Sequence, residues 1–324
     1  MRSFSSFLIA ALLSLTSAKS VNFYYETTSS GNESSPLPVV LWHGMGDSCC
    51  NPISMGSIKR LLEKTINGVY VNSLMLGDNV VSDTTHGFLA NMNTLVEQAC
   101  GMIAKDEKLK NGYNAMGFSQ GGLFLRAVAQ RCPNPPMKNL VSIGGPQQGI
   151  YGFPYCPGPT TVCNTVRNLL DLGAYIGFVQ NSVVQAQYWH DPYKADDYKQ
   201  KNIFLADINN ANIFNATYKD NLMKLKNFVM VKFLKDNMVV PKESEWFGFY
   251  PDNDDSKVLP MEQTELYTKV KVLQERLLRW RFQNLIGLQE MKRDGKLHFL
   301  SVDADHLRVT KEFLVDEIIK KYFM

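Results

Sequence analysis

The segment Gly117-Phe118-Ser119-Gln120-Gly121 has the residue types and spacing that would aim a serine hydroxyl at a carbonyl carbon. It follows an apolar run ending near Phe118 and opens a helical pattern that begins at Gly121. Glycines two residues before and two after the serine permit a tight strand-to-helix turn, the nucleophile elbow, which lifts Oγ above the edge of a sheet. A serine hydroxyl is a weak nucleophile until a base takes its proton. In chains with this elbow the acid and then the histidine follow the serine in sequence.

Downstream of Ser119 lie His190, His298 and His306. His298 falls inside the apolar run Leu297 to Val302 and would point into sheet packing, and His190 sits beside Trp189 in a region without strand signals. His306 ends the polar loop Asp303-Ala304-Asp305-His306 directly after that run, so it is the expected base. Asp236 lies two residues past the run Phe228 to Leu234 and is the expected acid, accepting the imidazole Nδ1 hydrogen. Asp303 and Asp305 compete for this role, but they neighbour His306 in sequence and offer no separate strand end to brace it. A tetrahedral intermediate also needs two amide donors. The Gln120 amide is one, and the glycine-flanked Met45 in His43-Gly44-Met45-Gly46-Asp47 is the other, with His43 read as a loop brace.

These residues need a sheet whose strand ends meet. Short apolar runs at Leu37 to Trp42, Val69 to Leu74, Asn114 to Phe118, Leu140 to Ile143, Phe228 to Leu234 and Leu297 to Val302 alternate with helical patterns. The helical stretches are Ile53 to Ile66, Asn93 to Lys105, Gly121 to Gln130 and Lys311 to Tyr322. Alternation of this kind predicts an α/β fold with a mostly parallel sheet and crossover helices, and the serine elbow set on such a sheet makes an α/β hydrolase the expected fold. It breaks between Gly144 and Asn227, where strand signals vanish, so a largely helical cap insertion is expected at about 144–227. Asp252 to Asp255 resembles calcium ligands in composition but lacks their spacing and reads as a solvated turn.

Net charge is +3, and Lys269, Lys271, Arg276, Arg279 and Arg281 against Glu275 put +4 into residues 269–283, leaving −1 for the rest. A neutral body of this kind does not read as a nucleic-acid binder. Residues 1–18 have a basic start, an apolar run from Phe7 to Leu15 and small residues at Thr16 and Ala18, the pattern of a cleaved signal peptide. The mature chain would then be one domain, 19–324, with no later run long enough to span a bilayer. The secretory route makes the even set Cys49, Cys50, Cys100, Cys132, Cys156 and Cys163 read as disulfides and not zinc ligands, and it gives meaning to the glycosylation sequons at Asn32 and Asn215.

Three longer runs, 42–52, 113–122 and 245–250 (Glu245-Trp246-Phe247-Gly248-Phe249-Tyr250), resemble the lysosomal palmitoyl-protein thioesterases, and the likeness extends from about Pro36 to Tyr322. That resemblance implies Ser119, Asp236 and His306 as the triad, and Cys49–Cys50, Cys100–Cys132 and Cys156–Cys163 as the disulfide pairs. It also implies a cap that grooves a fatty acyl chain, for which Leu169, Leu170, Leu172, Ile176, Phe178, Val183 and Val184 are candidates alongside a plain role in cap packing. One departure stands out. Where the family runs almost directly from Thr268 to Leu285, residues 269–283 intervene as a basic amphipathic stretch, readable as a surface helix, a membrane-facing helix or translated non-coding sequence.

The expected activity is hydrolysis of palmitoyl and other long-chain acyl thioesters on protein or peptide cysteines, during lysosomal degradation, with secretion as a second destination. No metal and no organic cofactor is implied. A secreted lipase or carboxylesterase would use the same triad on oxygen esters, and only the resemblance separates the two.

Overall fold

A computed structural model describes residues 35–152, 160–274 and 280–324. The expected signal peptide 1–18, Asn32 and Cys156 lie outside the described residues. Six strands form one parallel sheet in the order β2-β1-β3-β4-β5-β8. They are β1 (Val39–Trp42), β2 (Val71–Ser73), β3 (Tyr113–Phe118), β4 (Met137–Ile143), β5 (Asn227–Phe233) and β8 (Leu297–Val302). Each overlaps one of the apolar runs, with β5 offset from its run by one residue.

A parallel sheet is covered on both faces, which is why its strands read as continuous apolar runs. Alternate residues serve opposite layers. Val40, Trp42, Ala115, Leu140, Phe228 and Met230 join one core, together with α3 (Met92–Lys105) and α4 (Gln120–Arg131). Val39, Leu41, Met116, Val141, Val229 and Val231 join the other, with Leu62 of α1 (Met55–Thr65) and Ile318 and Ile319 of the C-terminal helix.

Register near the amino ends of four neighbouring strands is marked by a ladder of polar side chains. Asn139 Nδ2 donates to Asn114 Oδ1 at 2.8 Å, Asn227 Nδ2 donates to Asn139 Oδ1 at 2.7 Å, and His298 Nε2 lies 2.7 Å from Asn227 Oδ1. His298 is thus part of the sheet framework, and burial lowers its pKa.

Between β4 and β5 the described elements are all helical, among them α5 (Thr160–Gly173), α6 (Gly177–Ser182), Val184–Gln187 and Ala195–Lys201. The last helix of this insertion, Ala216–Leu222, packs back on α4, and Asn221 Nδ2 donates to Gln130 O at 2.9 Å. It behaves as the crossover helix into β5, so the cap ends before it. Buried Arg126 fastens α4 to the cap side through Asn209 Oδ1 at 2.9 Å and Gln147 O at 3.0 Å.

The described part of this stretch corrects the helical reading. Val270–Gln274 (β6) and Trp280–Asn284 (β7) pair as an antiparallel ribbon. Trp280-Arg281-Phe282-Gln283 alternates apolar and polar residues, and Val270 and Val272 are β-branched at strand spacing, so over so short a stretch the period of two prevails.

Because Val270 pairs with Asn284, removing 270–283 joins residues that already lie near one another at the ribbon base. Closing that gap costs little chain entropy. The 270–283 deletion is expected to keep kcat/KM on a soluble long-chain acyl thioester within about threefold of the parent. A folded deletion protein that lost about a hundredfold would show that the ribbon supports the site.

Candidate active site

β3 ends at Phe118 and α4 begins at Gln120, so Ser119 alone makes the turn, with φ 53° and ψ −128°. L-residues seldom adopt this conformation. Here Ser119 N–H donates to Ile143 O at 2.8 Å and Ser119 O accepts from Gly122 N–H at 2.9 Å. A Cβ on Gly117 would come within 2.2 Å of Gly121 O, and one on Gly121 within 2.5 Å of Trp42 O. The two motif glycines are therefore demanded by backbone passing against backbone.

All six strands are parallel, so Ser119 after β3, Asp236 after β5 and His306 after β8 emerge at one edge. His306 Nε2 lies 2.9 Å from Ser119 Oγ, and His306 Nδ1 is hydrogen-bonded to Asp236 Oδ2. Asp236 Oδ1 accepts from Met238 N–H at 2.7 Å and Val239 N–H at 3.0 Å, and its side chain is fully buried. Burial alone would raise the Asp236 pKa, but the adjoining His306 ring and Glu245 carboxyl outweigh it and hold the group below its usual value. With Asp236 ionised, Nδ1 keeps its hydrogen and Nε2 offers a lone pair to the serine hydroxyl.

The competing residues are placed elsewhere. Asp303 is exposed and accepts from Lys235 Nζ at 3.0 Å, and Asp305 is exposed. The His190 ring lies between Tyr198 and Phe249, with centroids 3.9 and 4.2 Å away, and burial pushes its pKa down to about 4.

Gln120 is the first residue of α4, so its N–H has no acceptor within the helix. A Cβ on Gly44 would meet Ser119 Cβ at 3.0 Å, so the loop that carries Met45 runs directly beside the serine. That loop is braced by a pair the sequence reading only half identified. His43 Nε2 lies 3.3 Å from Asp83 Oδ2, and both side chains are fully buried. Asp83 Oδ2 also accepts from Cys49 N–H and Oδ1 from Leu76 N–H, each at 2.8 Å. Asp83 sits on α2 (Val80–His86), whose start is fixed by a reciprocal Asn79–Ser82 cap. No sequence spacing pairs Asp83 with His43, so reading along the chain could not find it.

The cap clamps the Gln120 side chain. Gln120 Nε2 donates to Gly87 O at 3.0 Å, and its Oε1 accepts from Tyr188 OH at 3.2 Å. Gln185 Nε2 donates to the same Gly87 O at 3.1 Å.

A cavity of about 510 Å³ opens beside Ser119 and His306. Its apolar wall comes from Met45, Ile53, Met55, Ile58 and Leu61 on one side and Leu307, Val309 and Leu314 on the other. The cap residues expected to form the groove do not line it. Val183 and Val184 are fully buried, whereas Leu172, Ile176 and Phe178 are exposed. Of the two roles open to these residues, cap packing takes Val183 and Val184, and the cavity wall is supplied instead by the Met45 loop, α1 and the segment after His306.

Cys49 bonds Cys50, and Cys100 on α3 bonds Cys132 at the end of α4. The third implied pair needs Cys156, outside the described residues. Asn215 caps the helix Ala216–Leu222 by accepting from Thr217 N–H at 3.0 Å.

The parallel sheet with helices on both faces, and a serine on its β3–α4 turn hydrogen-bonded to a histidine beyond the last strand, define an α/β hydrolase. Residues 38–306 match the family model for palmitoyl protein thioesterase. Palmitoyl-protein thioesterase 1 of Caenorhabditis elegans is 58% identical over 293 residues, covering 90% of this chain and 94% of that protein. Palmitoyl-protein thioesterase 3 of Dictyostelium discoideum is 32% identical over 291 residues, 90% of each. Human lysosomal thioesterase PPT2 is 28% identical over 241 residues, 72% of this chain and 74% of that protein. The chain belongs to the palmitoyl protein thioesterase family.

Asp83 gives the brace a direct test. Asp83→Asn should lower unfolding free energy by about 3 kcal/mol at neutral pH in urea titrations, because it removes a buried charge that holds a histidine and two amides. Burial would raise the Asp83 pKa, but the adjoining His43 ring and the two amides that donate to it outweigh burial and hold the carboxyl below its usual value. Its contribution is therefore present above the unfolded value of about 3.9 and is lost as pH falls through the lower folded value. The variant should show a shallower acid slope, and an unchanged urea midpoint at neutral pH would refute the brace.

Proposed function

We propose that this protein hydrolyses thioesters that join long-chain fatty acyl groups, chiefly palmitate, to cysteines of proteins or their peptides. Ser119, His306 and Asp236 are the catalytic triad of this reading. The observation that carries it is the hydrogen-bonded chain from Asp236 through His306 to Ser119 Oγ, at the mouth of an apolar cavity.

Ser119 Oγ attacks the thioester carbonyl carbon while His306 Nε2 takes its proton. The Met45 and Gln120 amides hold the oxyanion, and collapse of the tetrahedral adduct breaks the C–S bond. A thiol has a pKa near 8.5, so the sulfur can begin to leave as thiolate with little help, and it then takes the proton from the imidazolium, departing as the free thiol and returning His306 to its neutral form. Water, deprotonated by His306, then attacks the acyl-serine, and the fatty acid leaves as the serine hydroxyl is restored. The acyl chain lies in the 510 Å³ cavity.

The natural partners are S-acylated proteins or peptides and long-chain acyl thioesters. We place the protein in the lysosome by the secretory route, on the signal pattern at residues 1–18, the disulfides, the sequons at Asn32 and Asn215, and relatives named lysosomal thioesterases. No described helix is long and apolar enough to cross a membrane.

Ser119→Ala is expected to abolish labelling by a fluorophosphonate probe, and Asp236→Asn to cut kcat by about 10⁴. Near-parent turnover in either folded variant would remove that residue from the triad. On a series of acyl thioesters, kcat/KM should climb to chains of about 14 to 18 carbons, since each buried methylene contributes roughly 0.8 kcal/mol. Equal kcat/KM for acetyl and palmitoyl thioesters would exclude the acyl cavity. A palmitoyl oxygen ester turned over as fast as the thioester would favour the lipase reading.

A further inference from the structure

Glu245, in the run Glu245-Trp246-Phe247-Gly248-Phe249-Tyr250, has no place in the triad chemistry, yet its carboxyl lies against the triad. It is 1% exposed. One carboxyl oxygen of Glu245, one of Asp236 and a ring nitrogen of His306 lie within 4.8 Å of one another. Glu245 Oε2 accepts from Phe233 N–H at 2.9 Å, and Oε1 is buried with no partner at hydrogen-bond distance among the described residues. The turn that carries it, Lys242–Trp246, is locked in place. Ser244 Oγ donates to Gly149 O at 2.6 Å, and Trp246 Nε1 donates to Met230 O at 3.0 Å.

Two buried carboxyls this close do not both ionise, because each charge opposes the other and little solvent screens them. Asp236 has the imidazole and two amides, whereas Glu245 has one amide, so the negative charge settles on Asp236 and the shared proton on Glu245. Burial first, and Asp236 second, push the Glu245 pKa up to about 11, and Lys232 opposes this only weakly. Lys232 Nζ lies over the Trp246 ring, 4.0 Å from its centroid.

We propose that Glu245 is a positioning residue of the triad: a neutral carboxylic acid, held by Phe233 N–H, whose Oε1 hydroxyl faces the Asp236 carboxylate, restrains it and draws off part of its charge. The proposal rests on the triad assigned above, which loss of fluorophosphonate labelling in Ser119→Ala tests separately. By restraining the Asp236 carboxylate and sharing its charge, Glu245 keeps Asp236 on His306 Nδ1 and the ring aligned on Ser119 Oγ. Ionised Glu245 would instead set a second negative charge against the Asp236 carboxylate.

The acid limb of kcat/KM for a soluble palmitoyl thioester responds to the charge held beside the triad in the free enzyme. Glu245→Gln keeps the shape, the acceptor for Phe233 N–H and a donor toward Asp236. Its kcat should stay within about twofold of the parent and its acid limb should not move. Glu245→Leu loses the donor, so kcat should fall about tenfold with KM unchanged, and the acid limb should rise by roughly half to one pH unit. A Glu245→Gln limb that drops instead would show an ionised Glu245 and overturn the proposal, as would a folded Glu245→Leu protein with the parent's kcat and pH profile. If Glu245→Leu does not fold, infrared difference spectra of parent against Glu245→Gln at neutral pH decide. Loss of a protonated-carboxyl stretch supports the proposal, and no such band to lose overturns it.

Discussion

Everything at the site follows from bending the chain at Ser119, where an L-residue with φ 53° must join a buried strand to a buried helix without an intervening loop. Such a residue costs on the order of 1–3 kcal/mol and persists only where its surroundings leave no alternative. Those surroundings are visible. Ile143 O holds the serine amide, and Gly121 lies where any Cβ would strike the Trp42 carbonyl. Gly44 brings the neighbouring loop to the serine Cβ. The strain is offset by the sheet, and the return is a hydroxyl fixed at the sheet edge with the first amides of α4 beside it.

The second constraint is electrostatic. A buried ion is tolerated only with partners that replace its lost water. Asp83 and Asp236 both meet this requirement with a histidine and two backbone amides. One of these sets holds the loop that carries Met45, and the other holds His306. Arg126, buried among carbonyl and amide oxygens, has its pKa lowered to about 9 by desolvation, which marks the cost of placing a cation there.

The cap meets the site through polar contacts. Its Val183 and Val184 are buried, and its polar residues Gln185 and Tyr188 reach the Gly87 carbonyl and the side chain of Gln120, the residue after Ser119. The cap thus steadies the elbow, while α1 and the segment after His306 shape the cavity.

The sequence by itself determined the six strands, because a parallel sheet covered on both faces writes itself as uninterrupted apolar runs. It also determined the elbow, since Gly117 and Gly121 answer a local steric demand, and it singled out Asp236 and His306 because each directly follows a strand at the same sheet edge. Other features were decided by the tertiary structure. The Asp83–His43 brace, the Gln120–Tyr188 clamp and the approach of Glu245 to Asp236 join residues whose separation in sequence carries no periodic signal. A buried polar side chain looks in sequence like an exposed one until its partner is known. Both helical readings of residues 269–283 fail because the apolar residues fit both periods, and only the pairing of Val270–Gln274 with Trp280–Asn284, a non-local event, selects the strand.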